Sequence, residues 1–216
     1  MKKISSLLFV ALLCNMAFAQ KKPTPITPSK KQPPKASAAP ASTPSLSDDP
    51  QQGGEDMKAW MAYMTPGPMH QMLATYVGDW KEDVTFWMAP GGPATTATAK
   101  CTNQMVMDNR YQESTHNGTM NGMPFEGRGY LGFDNAKNVF VSTWIDNMGT
   151  GIMNMEGKWD EKNRTIHFTG TGVDPKTGKN KAVREEFRLM DGAQMLEMFM
   201  TQDGKEFKCM EIKYTR

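Results

Sequence analysis

The side chains best suited to chemistry gather in two neighbouring stretches. In "PFEGRGYLGFD" a carboxylate, a guanidinium and a phenol, Glu126, Arg128 and Tyr130, fall on alternate positions, with glycines at 127, 129 and 132. In "FVSTWID" Trp144 and Asp146 also stand two apart. Alternate residues of an extended segment share one face, so the two stretches could present an Arg, a Tyr, a Trp and carboxylates toward one molecule, with Arg128 and Trp144 clamping an anionic or aromatic group. Upstream, "YQESTH" adds Glu113, and His116 beside it is an acid or base candidate or simply a polar surface group. Glu113, Glu126, Arg128, Tyr130, Trp144 and Asp146 are therefore the candidate ligand-binding set. A hydrolase or isomerase built on Glu113, Glu126, His116 or Asp146 is the alternative, and it needs at least two of them to converge in a pocket. The glycines have a plainer use where a strand bends sharply.

Other chemistries lack their signatures. His70, His116 and His167 are scattered, with no H-x-x-H, H-E-x-x-H or Cys-His cluster in the sequence, so no metal ligand set and no cofactor are expected. Methionines 57, 61, 64, 69 and 72 around His70 could offer thioethers to Cu(I), but their spacing across Pro66-Gly67-Pro68 fixes no coordination shell, and adaptable packing explains them as well. G-x-S-x-G and P-loop endings are missing, and "TGKN" at 177–180 reads as a turn.

These groups need a scaffold. "MKKISSLLFVALLCNMAFAQ" has the basic start, short apolar run and small residues Ala17 and Ala19 of a signal peptide spanning 1–19, so the mature chain is expected to be exported, periplasmic or extracellular. Leu13 before Cys14 disfavours the lipid-anchored alternative. Residues 20–54, rich in Pro, Lys, Ser and Ala, offer little to bury and read as a disordered tether. Lys and Arg number 25 against 23 Asp and Glu, but the basic excess precedes Glu55; from there on the counts are 18 against 21, a net −3. A slightly acidic domain without basic clusters is not expected to bind nucleic acid, and no membrane span follows the leader.

The remaining domain, 55–216, starts with helical spacing: a short piece before Pro66 and a better helix from about Pro68 to Val77. Ten alternating segments follow, near 81–89, 95–106, 109–117, 124–133, 138–145, 151–159, 164–171, 181–190, 194–201 and 205–214, separated by turn residues such as Asn121-Gly122 and Asp203-Gly204. The connections are too short for parallel crossovers. An all-β, antiparallel up-and-down barrel of about ten strands with a short N-terminal helical segment is expected, because closure removes the two raw edges; a two-sheet sandwich is the runner-up. In such a barrel Cys101 and Cys209 lie two strands apart, about 9.5 Å, beyond the roughly 7 Å reach of a disulfide. Both are expected to be buried free thiols, with no His or helix N-terminus evident to activate either.

The segments "GPMHQMLATYVGDWKEDVTFWMAPGGP", "NGMPFEGRGYLGFDNAKNVFVSTWIDNMGTGI" and "EGKWDEKNRTIHFTGTGVDPKTGK" resemble the bacterial family called domain of unknown function 1579, over Met64 to Tyr214. The resemblance implies a lipocalin-like (calycin) barrel and brings no activity with it. It also implies that Gly78-Asp79-Trp80 is the Gly-x-Trp of calycins, where Gly allows close backbone approach, Trp closes the barrel floor, and Lys213 or Arg216 could stack on the indole. A related heme-binding calycin family carries an axial His on its late strands; 181–216 contains none. The leading functional expectation is a barrel binding a small apolar or amphipathic molecule in its lumen; an envelope protein using its outer surface for partners is a further possibility.

Overall fold

A computed structural model describes residues 50–216, with side chains from 53 onward. The expected signal peptide and most of the expected tether lie outside the described residues. Among the described residues, the chain divides into two units between Ala62 and Tyr63. Helix α1 (Pro50–Met64) crosses that boundary and begins within the stretch read as tether; Pro50 suits a first helical turn. The second helix, α2 (Pro68–Ala74), is the shorter one, reversing the expected relation. It stops early because the chain must turn at Thr75-Tyr76, where backbone N–H groups reach back three residues, and enter the first strand through Gly78 at φ +118°.

Ten strands follow: β1 (Gly78–Trp87), β2 (Ala94–Val106), β3 (Tyr111–Met120), β4 (Met123–Asp134), β5 (Val139–Asp146), β6 (Met153–Asp160), β7 (Thr165–Val173), β8 (Asn180–Met190), β9 (Ala193–Gln202) and β10 (Lys205–Thr215). Each pairs antiparallel with its neighbours in sequence, and β1 pairs with β10, from Lys81 opposite Thr215 to Phe86 opposite Met210. The sheet is a closed barrel with no free edge, as expected. The β3–β4 and β9–β10 connections use Asn121-Gly122 and Asp203-Gly204 with positive φ at both residues, the conformation that matches the twist of a tight hairpin.

Period-two alternation sends one set of side chains inward. Trp80, Cys101, Phe140, Met155, Ile166, Phe168, Val183, Leu189 and Tyr214 form a continuous buried cluster with Leu73 and Tyr76. Each large apolar side chain so buried contributes about 1.5–3 kcal/mol. Along β10 the alternation slips at a bulge between Lys208 and Met210, which turns Cys209 inward.

Helix α2 plugs one end. Side chains of the barrel wall hold carbonyls at and just beyond its C-terminal end: Gln112 Nε2 donates to Leu73 O (2.8 Å), while Asn103 Nδ2 (3.1 Å) and Trp80 Nε1 (3.0 Å) donate to Tyr76 O. Trp80 is 2% exposed. Arg216, not Lys213, covers it, with Cζ 4.1 Å from the ring centroid and Nη2 donating to Val77 O at 2.8 Å.

Candidate functional site

The β2–β3 hairpin turns around Asp108-Asn109, and its register puts Cys101 directly opposite His116. On the other side of β2, Cys101 faces Trp80 of β1, and Glu82 follows Trp80 by two residues on the same inner face. Three short polar side chains thus meet above the helical plug. His116 Nδ1 lies 2.8 Å from Glu82 Oε1. The other ring nitrogen, Nε2, faces Cys101 Sγ at 3.8 Å. The thiol also donates to Asn103 Oδ1 at 3.1 Å. Glu82, Cys101 and His116 are all buried, each offering one donor atom within 4.8 Å of the others.

This arrangement corrects two sequence-based expectations. His116 is a buried group rather than surface polarity, and Cys101 does have a histidine beside it. Burial first, and then the charges of Glu82 and Asp79, hold the Cys101 thiol far above its ordinary range, so at neutral pH it is no nucleophile. Both cysteines are free, as expected; Cys209 donates to Met198 O, and burial pushes its thiol up to about 12.

The six candidate ligand residues divide between the two faces of the wall. Glu113, Glu126, Arg128 and Tyr130 do not point into the lumen. They lie on the solvent side, where Tyr130 Oη (2.7 Å) and Gln104 Nε2 (2.6 Å) donate to the Glu113 carboxylate and Arg128 pairs with Glu126 at 3.2 Å. The hydrogen bond from Tyr130, then that from Gln104, draws the Glu113 pKa below the usual carboxylate range. Trp144 and Asp146 are on the inner side and bonded to each other, Nε1 to Oδ2 at 2.7 Å. Arg128 and Trp144 therefore cannot clamp one molecule. The physical reason lies in the glycines: the inward positions of β4 are Gly127 and Gly129, and a Cβ at Gly127 would come within 2.5 Å of the Trp144 ring. They leave room for the indole, which reaches across to meet the His116 ring edge-on at 4.9 Å. Gly132 does the same outside, beneath Tyr111. Of the four residues of the hydrolase or isomerase alternative, Glu113 and Glu126 lie outside, while His116 and Asp146 are on the inner side, on either side of Gly127.

A second interior acid stands on β8. Glu185 faces Phe168 and Met198 across the sheet, is 6% exposed, and has no hydrogen bond or ion pair among the described residues. Burial alone raises it to about 7. Near the plug, Gln194 Nε2 is buried without a partner. Two open hollows of about 530 and 540 Å³ mark the wall, one lined by Asp83, Val84, Thr85, Thr96, Ala97, Thr98 and Thr119, the other around Ser142, Asn154 and Met155; none of the six candidates lines either. No described helix is long and apolar enough to cross a membrane.

A closed ten-stranded antiparallel barrel, floored by a helix and a Gly-x-Trp corner, is the class of protein that these features define. The chain belongs to the family described as protein of unknown function (DUF1579), whose model matches residues 65–216. No curated protein matches it.

Proposed function

We propose that this barrel is an exported binding protein that takes a small, partly apolar molecule into its interior. Glu185 is the single observation that carries this reading. A buried carboxyl without a donor costs several kcal/mol relative to one in water, and such a group is retained where something supplies the missing hydrogen bond. Around it the inner wall is apolar and adaptable: Met155, Met198, Met200, Phe168 and Val183. Unbranched thioether side chains reshape around varied guests. An amphipathic molecule with one hydrogen-bond donor fits that pairing of a soft apolar wall with a lone acid. The leader at 1–19 supports export.

Incubation with a lipid and metabolite mixture, followed by native mass spectrometry, tests the reading. The wild-type protein is expected to retain a discrete small compound, and the folded Glu185→Leu variant to lose it at least tenfold. A wild-type protein that retains nothing, or a variant that retains as much, removes the proposal.

A further inference from the structure

We propose that Cys101 and His116, with Glu82 behind the imidazole and Asn103 beside the thiol, form a binding site for one divalent transition-metal ion of the zinc class. Cys101 Sγ is approached by His116 Nε2 from one strand and Asn103 Oδ1 from its own, and Glu82, Cys101 and His116 each offer a donor atom within 4.8 Å of the others. His116 Nδ1 lies 2.8 Å from Glu82, which leaves Nε2 as the ring nitrogen that faces the thiol. The Cys101 thiol has one proton to give, and Asn103 Oδ1 stands 3.1 Å from Sγ against 3.8 Å for Nε2. Asn103 cannot turn away, because its Nδ2 is committed to Tyr76 O. The thiol proton can therefore serve Asn103 or His116, but not both at once. A cation in place of that proton would satisfy Sγ, Nε2 and Oδ1 together.

The spacing fits. Sulfur and imidazole ligands on a tetrahedral zinc ion, at about 2.3 and 2.05 Å, stand about 3.6 Å apart, and the observed separation is 3.8 Å. The pairing of His116 Nδ1 with a carboxylate is the support that metal-bound imidazoles ordinarily receive from behind. Charge also balances: a divalent ion, a Cys101 thiolate and the Glu82 carboxylate sum to zero, so the loaded site places no net charge in the interior. Binding forms an S–M bond, breaks the S–H bond and releases one proton to solvent, with no oxidation or reduction. Thiolate with imidazole selects zinc, cobalt or copper over calcium and magnesium. No short motif joins the ligands, which the register of the β2–β3 hairpin brings together.

Cobalt is the probe, because a sulfur-to-cobalt charge-transfer band reports a thiolate ligand directly. The chain has three cysteines, so the test uses full-length protein carrying Cys14→Ser and Cys209→Ser, refolded with Co²⁺. One equivalent of bound cobalt with the near-ultraviolet band is expected, together with release of one proton. Adding Cys101→Ser should abolish the band and weaken binding at least tenfold. Glu82→Gln should keep the band and weaken binding 10- to 100-fold, as loss of a supporting carboxylate does. Failure of the Cys101-only protein, with its barrel intact by circular dichroism, to develop the band overturns the site. So does binding indifferent to Cys101→Ser, and an unweakened Glu82→Gln overturns the role given to that carboxylate.

Discussion

Arg216, the last residue of the chain, rests its guanidinium 4.1 Å above the ring centroid of Trp80 near the start of β1. The contact joins the two ends of the barrel domain at its floor, where Trp80 also holds the carbonyl of Tyr76. Arg216→Ala should lower stability by about 1 kcal/mol, the scale of a partly exposed cation–π contact. Trp80→Ala should cost about 3–5 kcal/mol by emptying the floor. Urea denaturation of both variants checks the ranking, and equal losses would contradict it.

Glu185 makes stability depend on pH with a defined sign. Its folded pKa, about 7, stands above the ordinary 4.5, so below about pH 4.5 both states are protonated and the group is neutral toward folding. As pH rises toward 7 the unfolded chain ionises while the folded one does not, and stability falls by about 3 kcal/mol at about 1.4 kcal/mol per unit. Glu185→Gln should flatten that part of the curve and exceed the wild type near pH 7.5. Melting temperatures across pH 4–8 decide it.

Gly127 gives up its side chain to the indole of Trp144. Gly127→Ala should cost about 1–3 kcal/mol by overpacking, and Trp144→Phe should recover part of that loss in the double variant while remaining unfavourable alone. A double-mutant cycle by denaturation measures the coupling; strict additivity would mean that the two positions do not meet.

Both barrel thiols should be inert in the native state. Cys101 is 1% exposed and Cys209 7%, and each is protonated at neutral pH. A Cys14→Ser protein treated with a chromogenic disulfide reagent should react only after denaturant is added, releasing two equivalents. Prompt reaction without denaturant would contradict the burial described above.

The fold was legible because most strands alternate, β10 up to its slip at Cys209, and the hairpins carry turn residues. The free thiols followed from strand order, and the Trp80 floor from Gly78-Asp79-Trp80. The site was less so. Alternation says which residues share a face, but not which face is inside, and the charged set Glu126, Arg128 and Tyr130 drew attention to the wrong one. Gly127 and Gly129 held the contrary clue: two alternate positions without side chains must face something bulky, here Trp144 and Ser114. The pairing of Cys101 with His116 also lay within reach, since a turn centred on Asp108-Asn109 makes them opposite partners. Alternation along β8 puts Glu185 inside with Val183 and Leu189, but its lack of a partner depends on side chains from β7 and β9 that periodicity cannot supply.

Pairing between β1 and β10 has a temporal meaning as well. The strand made first waits for the strand made last, so until Lys205–Thr215 leaves the ribosome the growing sheet has two open margins. Such distant partners meet slowly, and exposed margins recruit other chains. A chain shortened by that final strand is expected to accumulate as aggregate rather than as a smaller soluble barrel.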